Sequence, residues 1–160
     1  MRQHPCRRSA PAPGFTLVEV LVVAVVMAVG LLGGVVLMLT GLRASRLAMH
    51  QTAAANLAAD LGDRISANRT AGDAYALGAG SLLTAPDKPC QSVGECSSQD
   101  VAARDLYEWQ RAAMSALPGA MTSVEVSPVD ELPANVYLIV VEWTQAGQVA
   151  AARFTLAVQA

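Results

Sequence analysis

The chain has 160 residues, a formal net charge of −2 and 15% charged residues against 53% hydrophobic ones. The apolar residues are concentrated, since positions 15–42 are almost all Val, Leu, Met, Ala and Gly with Glu19 as the one charge, while the rest is Ala-rich and mixed. This excludes a polytopic transporter, a two-domain enzyme and a basic nucleic-acid-binding domain of the usual kind, and fits one membrane span joined to one small domain.

Residues 1–14, MRQHPCRRSAPAPG, are polar and basic through Arg2, Arg7 and Arg8, and contain three prolines. The apolar run beginning at Phe15 is longer than the roughly 7–15-residue core of an ordinary secretory signal. As a helix, positions 15–42 reach roughly 42 Å, enough to cross a bilayer with tilt. Arg43 and Arg46 follow the run, and the short basic leader favours an amino terminus in the cytoplasm. A carboxylate near the centre of such a helix costs about 2.5–3.5 kcal/mol on insertion scales, so Glu19 either lies near the interface or has a dedicated role. Gly30 and Gly34 form a GxxxG pattern, readable as close helix packing or as local weakening of the helix.

The helix is expected to continue through 43–69. From Arg43 to Asn68 there is no proline and one glycine, Gly62, among good helix formers. Met49, Ala53, Leu57, Leu61 and Ile65 recur in steps of four as an apolar stripe, with Asp60 and Arg64 as an i,i+4 pair beside it. Stop signals fall at Asn68–Gly72. Residues 70–99 read as a glycine- and proline-rich loop containing Cys90 and Cys96. Ser97 or Ser98 can cap a second helix, with Asp100 completing a capping box. Its apolar face is Ala102, Leu106, Trp109, Ala113 and Leu117, Trp109 reads as core, and Pro118-Gly119 terminates it. Strand patterns follow at 122–127, 136–144 and 149–158, with a short turn at 145–148 making the last two an antiparallel hairpin. The fold class is therefore α+β: a long amino-terminal helix packed on a small antiparallel sheet, with a second short helix in the 70–160 segment.

Chemistry-bearing patterns are absent from the sequence. There is no Walker loop, GxSxG, HExxH or CxxC. Beyond the leader the one histidine is His50, with no recognisable carboxylate or nucleophile partner. No catalytic residue, metal or cofactor is expected.

The hexapeptide Gly14-Phe15-Thr16-Leu17-Val18-Glu19, behind its basic leader, resembles the class III signal of type IV prepilins and pseudopilins. The resemblance implies a pilin-like fold, cleavage between Gly14 and Phe15 by a membrane prepilin peptidase, and N-methylation of Phe15. It also makes Glu19 an assembly residue, the buried countercharge for the Phe15 amine of a neighbouring subunit. Removal of the leader would take Cys6 with it and leave Cys90 and Cys96 as an even pair on the oxidising side of the membrane, a disulfide worth about 2–2.5 kcal/mol in the chain-entropy model. Loss of the three leader arginines also shifts the formal charge from −2 to −5, giving no electrostatic case for nucleic acid.

Within that family, Gly30-Leu31-Leu32-Gly33, the run Ala59 to Arg69, Gly72 with Tyr75, Asp105 to Gln110 and Leu117-Pro118-Gly119 are similar to the PilV group, the type IV pilus modification proteins. Two departures are the longer, proline-containing leader and the additional Gly34. The implied role is a minor pilin that helps to initiate or modify pilus assembly. Its implied partners are major and minor pilins, the prepilin peptidase/methyltransferase, the inner-membrane assembly machinery and membrane lipid. The expected location is the bacterial inner membrane, with the carboxy-terminal domain in the periplasm and entry into the extracellular pilus. A type II secretion minor pseudopilin shares the signal, helix and sheet and is the alternative; a membrane-anchored adhesin or binding module is a third reading.

Overall fold

The apolar run and the Ala-rich segment after it form one helix, α1, Leu17–Ala67. The computed structural model describes residues 14–87, 95–128, 135–145, 147 and 150–160. Two compact units divide the chain between Ser45 and Arg46.

In the first unit, every residue of Gly14–Ser45 is exposed. The helix runs without interruption through Gly30, Gly33 and Gly34, and a side chain at any of these glycines would meet nothing within 4 Å. Length and composition make α1 a helix able to cross a membrane.

The second unit contains the core. Here α1 buries Ala54, Ala58, Leu61, Gly62 and Ile65. The expected stripe is corrected at its start, because Met49 is 66% exposed, and Ala53 and Leu57 only flank the core. Four residues advance a helix about 40° beyond a full turn, so a strict four-step series drifts off any one face. The buried Ala54, Ala58, Leu61 and Ile65 alternate steps of four and three and stay on it, with Gly62 beside them. The helix ends at Ala67, where the Asn68 N–H reaches back to the carbonyls of Arg64 (3.0 Å) and Ile65 (3.1 Å).

A second correction concerns the expected loop over 70–99. Arg69–Tyr75 forms a 3₁₀ segment with a kink at Gly72, and Leu77 makes an isolated antiparallel bridge to Val124. Tyr75 is fully buried, stacked edge-on against Tyr137 at 6.4 Å between centroids. Burial of this one aromatic ring fixes a segment whose glycines read as irregular.

Helix α2, Ser98–Ala116, starts at an N-cap on Ser97 with a complete capping box to Asp100. The Asp100 N–H donates to Ser97 Oγ at 3.2 Å and the Ser97 N–H donates to Asp100 Oδ2 at 3.0 Å, satisfying two helix-end donors. Its expected apolar face, Ala102, Leu106, Trp109, Ala113 and the following Leu117, is buried throughout. Trp109 is core, its indole N–H donating to the Leu57 carbonyl at 2.8 Å.

Three antiparallel strands follow in the order β1-β2-β3: β1 Met121–Pro128, β2 Asn135–Trp143 and β3 Ala152–Gln159. Central β2 buries Tyr137, Ile139, Val140, Val141 and Trp143. β3 alternates, with Phe154, Leu156 and Val158 packed against the core and partly exposed. Gly62 permits the approach of helix to sheet, since a Cβ there would lie 3.0 Å from Val158 Cγ2. Of the expected turn at 145–148, positions 146 and 148 lie outside the described residues, as does Cys90.

Candidate processing and assembly site

The first helical bond of α1 runs from the Val20 N–H to the Thr16 carbonyl at 3.3 Å. The Thr16 hydroxyl accepts the Glu19 N–H at 3.2 Å. Thr16 is therefore the N-cap, satisfying one of the donors that a helix start leaves open. This role was readable as Thr-x-x-Glu, the capping-box spacing, and went unremarked beside the processing signal. Phe15 and Glu19 are one turn apart and line the same surface groove with Val20 and Val23. Phe15 is 84% exposed, Glu19 is exposed, and Glu19 has no ion pair among the described residues. Of the residues named from the sequence, Gly14, Phe15 and Glu19 thus come together at one end of α1, whereas Cys96 lies in the second unit.

A second cluster lies in the carboxy-terminal unit. The guanidinium of Arg64 binds three carboxylates: Asp60 at 3.0 Å, Asp105 at 3.0 Å and Glu108 at 3.4 Å. Arg104 holds the other oxygen of Glu108 at 2.8 Å. The Tyr75 hydroxyl donates to the second Asp105 oxygen at 2.7 Å, and Asn68 Nδ2 donates to the Ser98 carbonyl at 2.8 Å. Partial burial acts to lower the Arg64 pKa, but the hydrogen bond to Asp105 and the charge of Asp60 outweigh it and raise it. The hydrogen bond from Arg104 holds Glu108 below the usual carboxylate range. Burial, reinforced by the bond to Asp105, pushes the Tyr75 phenol well up. Every carboxylate in this cluster is engaged by a cation or a hydroxyl, which suits joining α1 to α2 rather than reacting with a substrate.

Beside it, Gln110 is buried and uses both ends of its amide. Its oxygen accepts the Leu83 N–H at 2.8 Å, and its nitrogen donates to the Ser81 carbonyl at 2.7 Å and the Thr122 hydroxyl at 3.2 Å. The sequence named Gln110 only as part of a similar segment. Its position one turn after Leu106 on the buried face was the available signal.

Comparison with known proteins adds two matches. The family model for the prokaryotic N-terminal methylation motif matches residues 12–35, and the model described as type IV pilin Tt1218 matches residues 36–107. Over residues 36–107 the chain is similar to that pilin domain. The pilin-domain match covers the part of α1 that enters the core, the Arg64–Asp105 contact and the first half of α2. The sheet lies beyond both matches. The methylation-motif match spans the Gly14-Phe15 bond and Glu19. Together with the apolar helix, it fits a membrane-anchored pilin. No curated protein and no solved structure matched the chain.

Proposed function

We propose that this pilin is a minor subunit of the PilV type, processed by cleavage between Gly14 and Phe15 with methylation of the Phe15 nitrogen, and that it helps to initiate or modify pilus assembly. The observation that carries the reading is the placement of Glu19: exposed, unpaired among the described residues, and surrounded by the uncovered apolar surface of Phe15–Leu42. That surface is stable in lipid or against other such helices. Within either, a carboxylate needs a countercharge. Cleavage converts the Phe15 amide nitrogen to an amine, and the amine of a neighbouring subunit supplies that charge. Thr16 lies on the retained side of the cut, so the mature chain keeps its own helix cap.

Cys96 is disulfide-bonded, which supports pairing with Cys90 and a carboxy-terminal unit in the oxidising periplasm. The similarity of the Ala59–Arg69, Asp105–Gln110 and Leu117–Gly119 segments to the PilV group favours the pilus over a type II secretion pseudopilus. Mass spectrometry of the mature amino terminus tests the processing: the expected terminus is N-methylated Phe15, and an intact leader or another terminus counts against it. Deletion of the gene is expected to abolish twitching motility. Loss of exoprotein secretion with motility retained would assign the pseudopilus instead.

A further inference from the structure

Helix α2 runs back along the part of α1 that lies in the second unit. Asn68 meets the Ser98 carbonyl at 2.8 Å, Arg64 meets Asp105 at 3.0 Å, and Trp109 meets the Leu57 carbonyl at 2.8 Å. The end of α2 therefore returns toward Arg46, where this unit begins. The sheet reaches the same end through the row Met121–Glu142–Arg153. Thr144, just past β2, bonds the Pro118 carbonyl at 2.9 Å and ties that row to the end of α2.

Two kinds of side chain collect at this end. Among the described residues of the unit, the exposed large hydrophobic ones are Leu47, Met49, Leu82, Met114 and Met121. All but Leu82 belong to the end near Arg46; Leu82 follows Ser81, which Gln110 holds further back along α2. Leu47 lies about two turns before buried Ala54, on the same face of α1. Charge is sorted in the same way. The cations here are Arg46, Arg111 and Arg153, whereas Asp60 and Asp63 of α1 and Asp100, Asp105 and Glu108 of α2 lie toward the opposite end. The acid of the Met121 row, Glu142, is met by Arg153 at 3.6 Å. Arg111 stacks on Tyr107, 5.8 Å from the ring centroid, which leaves its N–H groups for a phosphate.

We propose that this end of the carboxy-terminal unit docks on an anionic phospholipid surface, with Met114 and Met121 entering among the headgroups and Arg111 and Arg153 pairing with lipid phosphates. The docking presupposes that α1 spans the membrane. The apolar run ends at Leu42, and three residues, Arg43 among them, separate it from Arg46. The unit is thus tethered by this end within a few residues of the headgroups. Cations held there act within a Debye length of the surface, about 8 Å at physiological ionic strength. A guanidinium grips phosphate through paired N–H groups, and the flexible methionine side chain packs well into irregular apolar surroundings. Docking covers these apolar side chains while the subunit stands alone in the membrane. It holds for a pilus or a secretion role alike.

The full-length chain carrying Cys6→Ser, reconstituted in phosphatidylcholine vesicles with or without phosphatidylglycerol, tests this. A fluorophore on Ala116→Cys, at the end of α2, is read by quenching from a lipid with a nitroxide on its headgroup. A fluorophore on Ala103→Cys, exposed on α2 and about 20 Å away along the helix, is the control. Quenching at Ala116→Cys is expected to exceed that at Ala103→Cys and to rise when phosphatidylglycerol is present. Arg111→Gln and Arg153→Gln are each expected to lower the ratio of docked to undocked chain about fivefold, and Met121→Ser to lower it as well. Quenching that is unchanged by phosphatidylglycerol, or unchanged in both arginine variants, would overturn the docking. Energy transfer between probes on neighbouring chains, without lipid-dependent quenching, would also overturn it and assign the surface to a second copy. Flotation separates the two readings. A chain that floats with neither vesicle overturns the membrane span and the docking with it, whereas one that floats without lipid-dependent quenching overturns the docking alone.

Discussion

Arg64 near the end of α1 and Asp105 in α2 lie 41 positions apart in sequence and join at 3.0 Å. Asp105 is the less exposed partner, its side chain 16% exposed against 33% for Arg64, and its second oxygen is taken by Tyr75. Arg64→Met would remove the shared cation and leave Asp60, Asp105 and Glu108 close together with Arg104 alone to neutralise them. The expected destabilisation is about 1–2 kcal/mol, above that of an isolated surface pair because Asp105 is partly buried. Chemical denaturation of the detergent-solubilised chain measures it. A double-mutant cycle with Asp105→Asn is expected to give a coupling energy clearly different from zero.

The same cluster sets the response to pH. Burial and the bond to Asp105 raise the Tyr75 pKa above its ordinary value. The neutral phenol therefore contributes stability that is complete below about pH 10 and is lost as pH rises from there toward the raised folded value. Glu108 is shifted the other way, chiefly by Arg104. Its contribution is present above about pH 4.3 and is lost as pH falls through the lower folded value. Melting temperatures across both limbs are expected to show Tyr75→Phe flattening the alkaline limb only and Glu108→Gln flattening the acid limb only.

Much of this fold was legible because periodicity and caps are local. The Ser97–Asp100 box, the α2 face and the three strands follow from neighbouring residues, and each was found within a few positions of its expected place. The Met49 stripe failed because equal steps of four ignore the helix pitch. The 3₁₀ segment at Arg69–Tyr75 was missed because its order comes from Tyr75 docking on Tyr137 and Asp105, both distant in sequence. Arg64 was read as half of a local pair with Asp60, whereas its bonds to Asp105 and Glu108 appear only once α2 packs beside α1. The Gly14–Glu19 hexapeptide stands out for a different reason: it is contiguous and its acid is conspicuous in an apolar run.

Gln110 offers a test of a buried amide with every partner inside the domain. Gln110→Leu would leave the Leu83 N–H and the Ser81 carbonyl without their bonds and is expected to cost about 2–3 kcal/mol. The loss should loosen the 81–83 segment most. Hydrogen exchange is expected to rise at Leu83 well before α2 loses protection; uniform loss along α2 would assign the residue a packing role instead.

Gly119 follows α2 and holds φ at +60°, where a Cβ would lie 3.0 Å from the Thr144 side chain. Thr144 returns both its N–H and its hydroxyl to the Pro118 carbonyl at 2.9 Å. Strain and crowding therefore act in the same direction, and Gly119→Ala is expected to destabilise by about 1–3 kcal/mol. Gly62→Ala meets crowding alone, against the branched side chain of Val158, while gaining up to about 1 kcal/mol of helix propensity. Thermal melts are expected to rank Gly119→Ala well below Gly62→Ala.

Glu19 separates assembly from folding, because it lies in the first unit and makes no side-chain bond among the described residues. Glu19→Ala is expected to leave the melting temperature of the carboxy-terminal unit unchanged. Cleavage after Gly14 should also persist, since the Thr16 cap uses the Glu19 backbone N–H rather than its carboxylate. What should fall is incorporation into sheared pili, because an incoming subunit without the carboxylate cannot pair with a neighbour's Phe15 amine and loses both register and charge compensation. Glu19→Gln tests the charge specifically, as it keeps size and hydrogen bonding while removing the ionic partner. Immunoblots of sheared pili are expected to show reduced subunit in both variants; wild-type levels in Glu19→Gln would mean that hydrogen bonding suffices, and wild-type levels in both would dismiss the pairing.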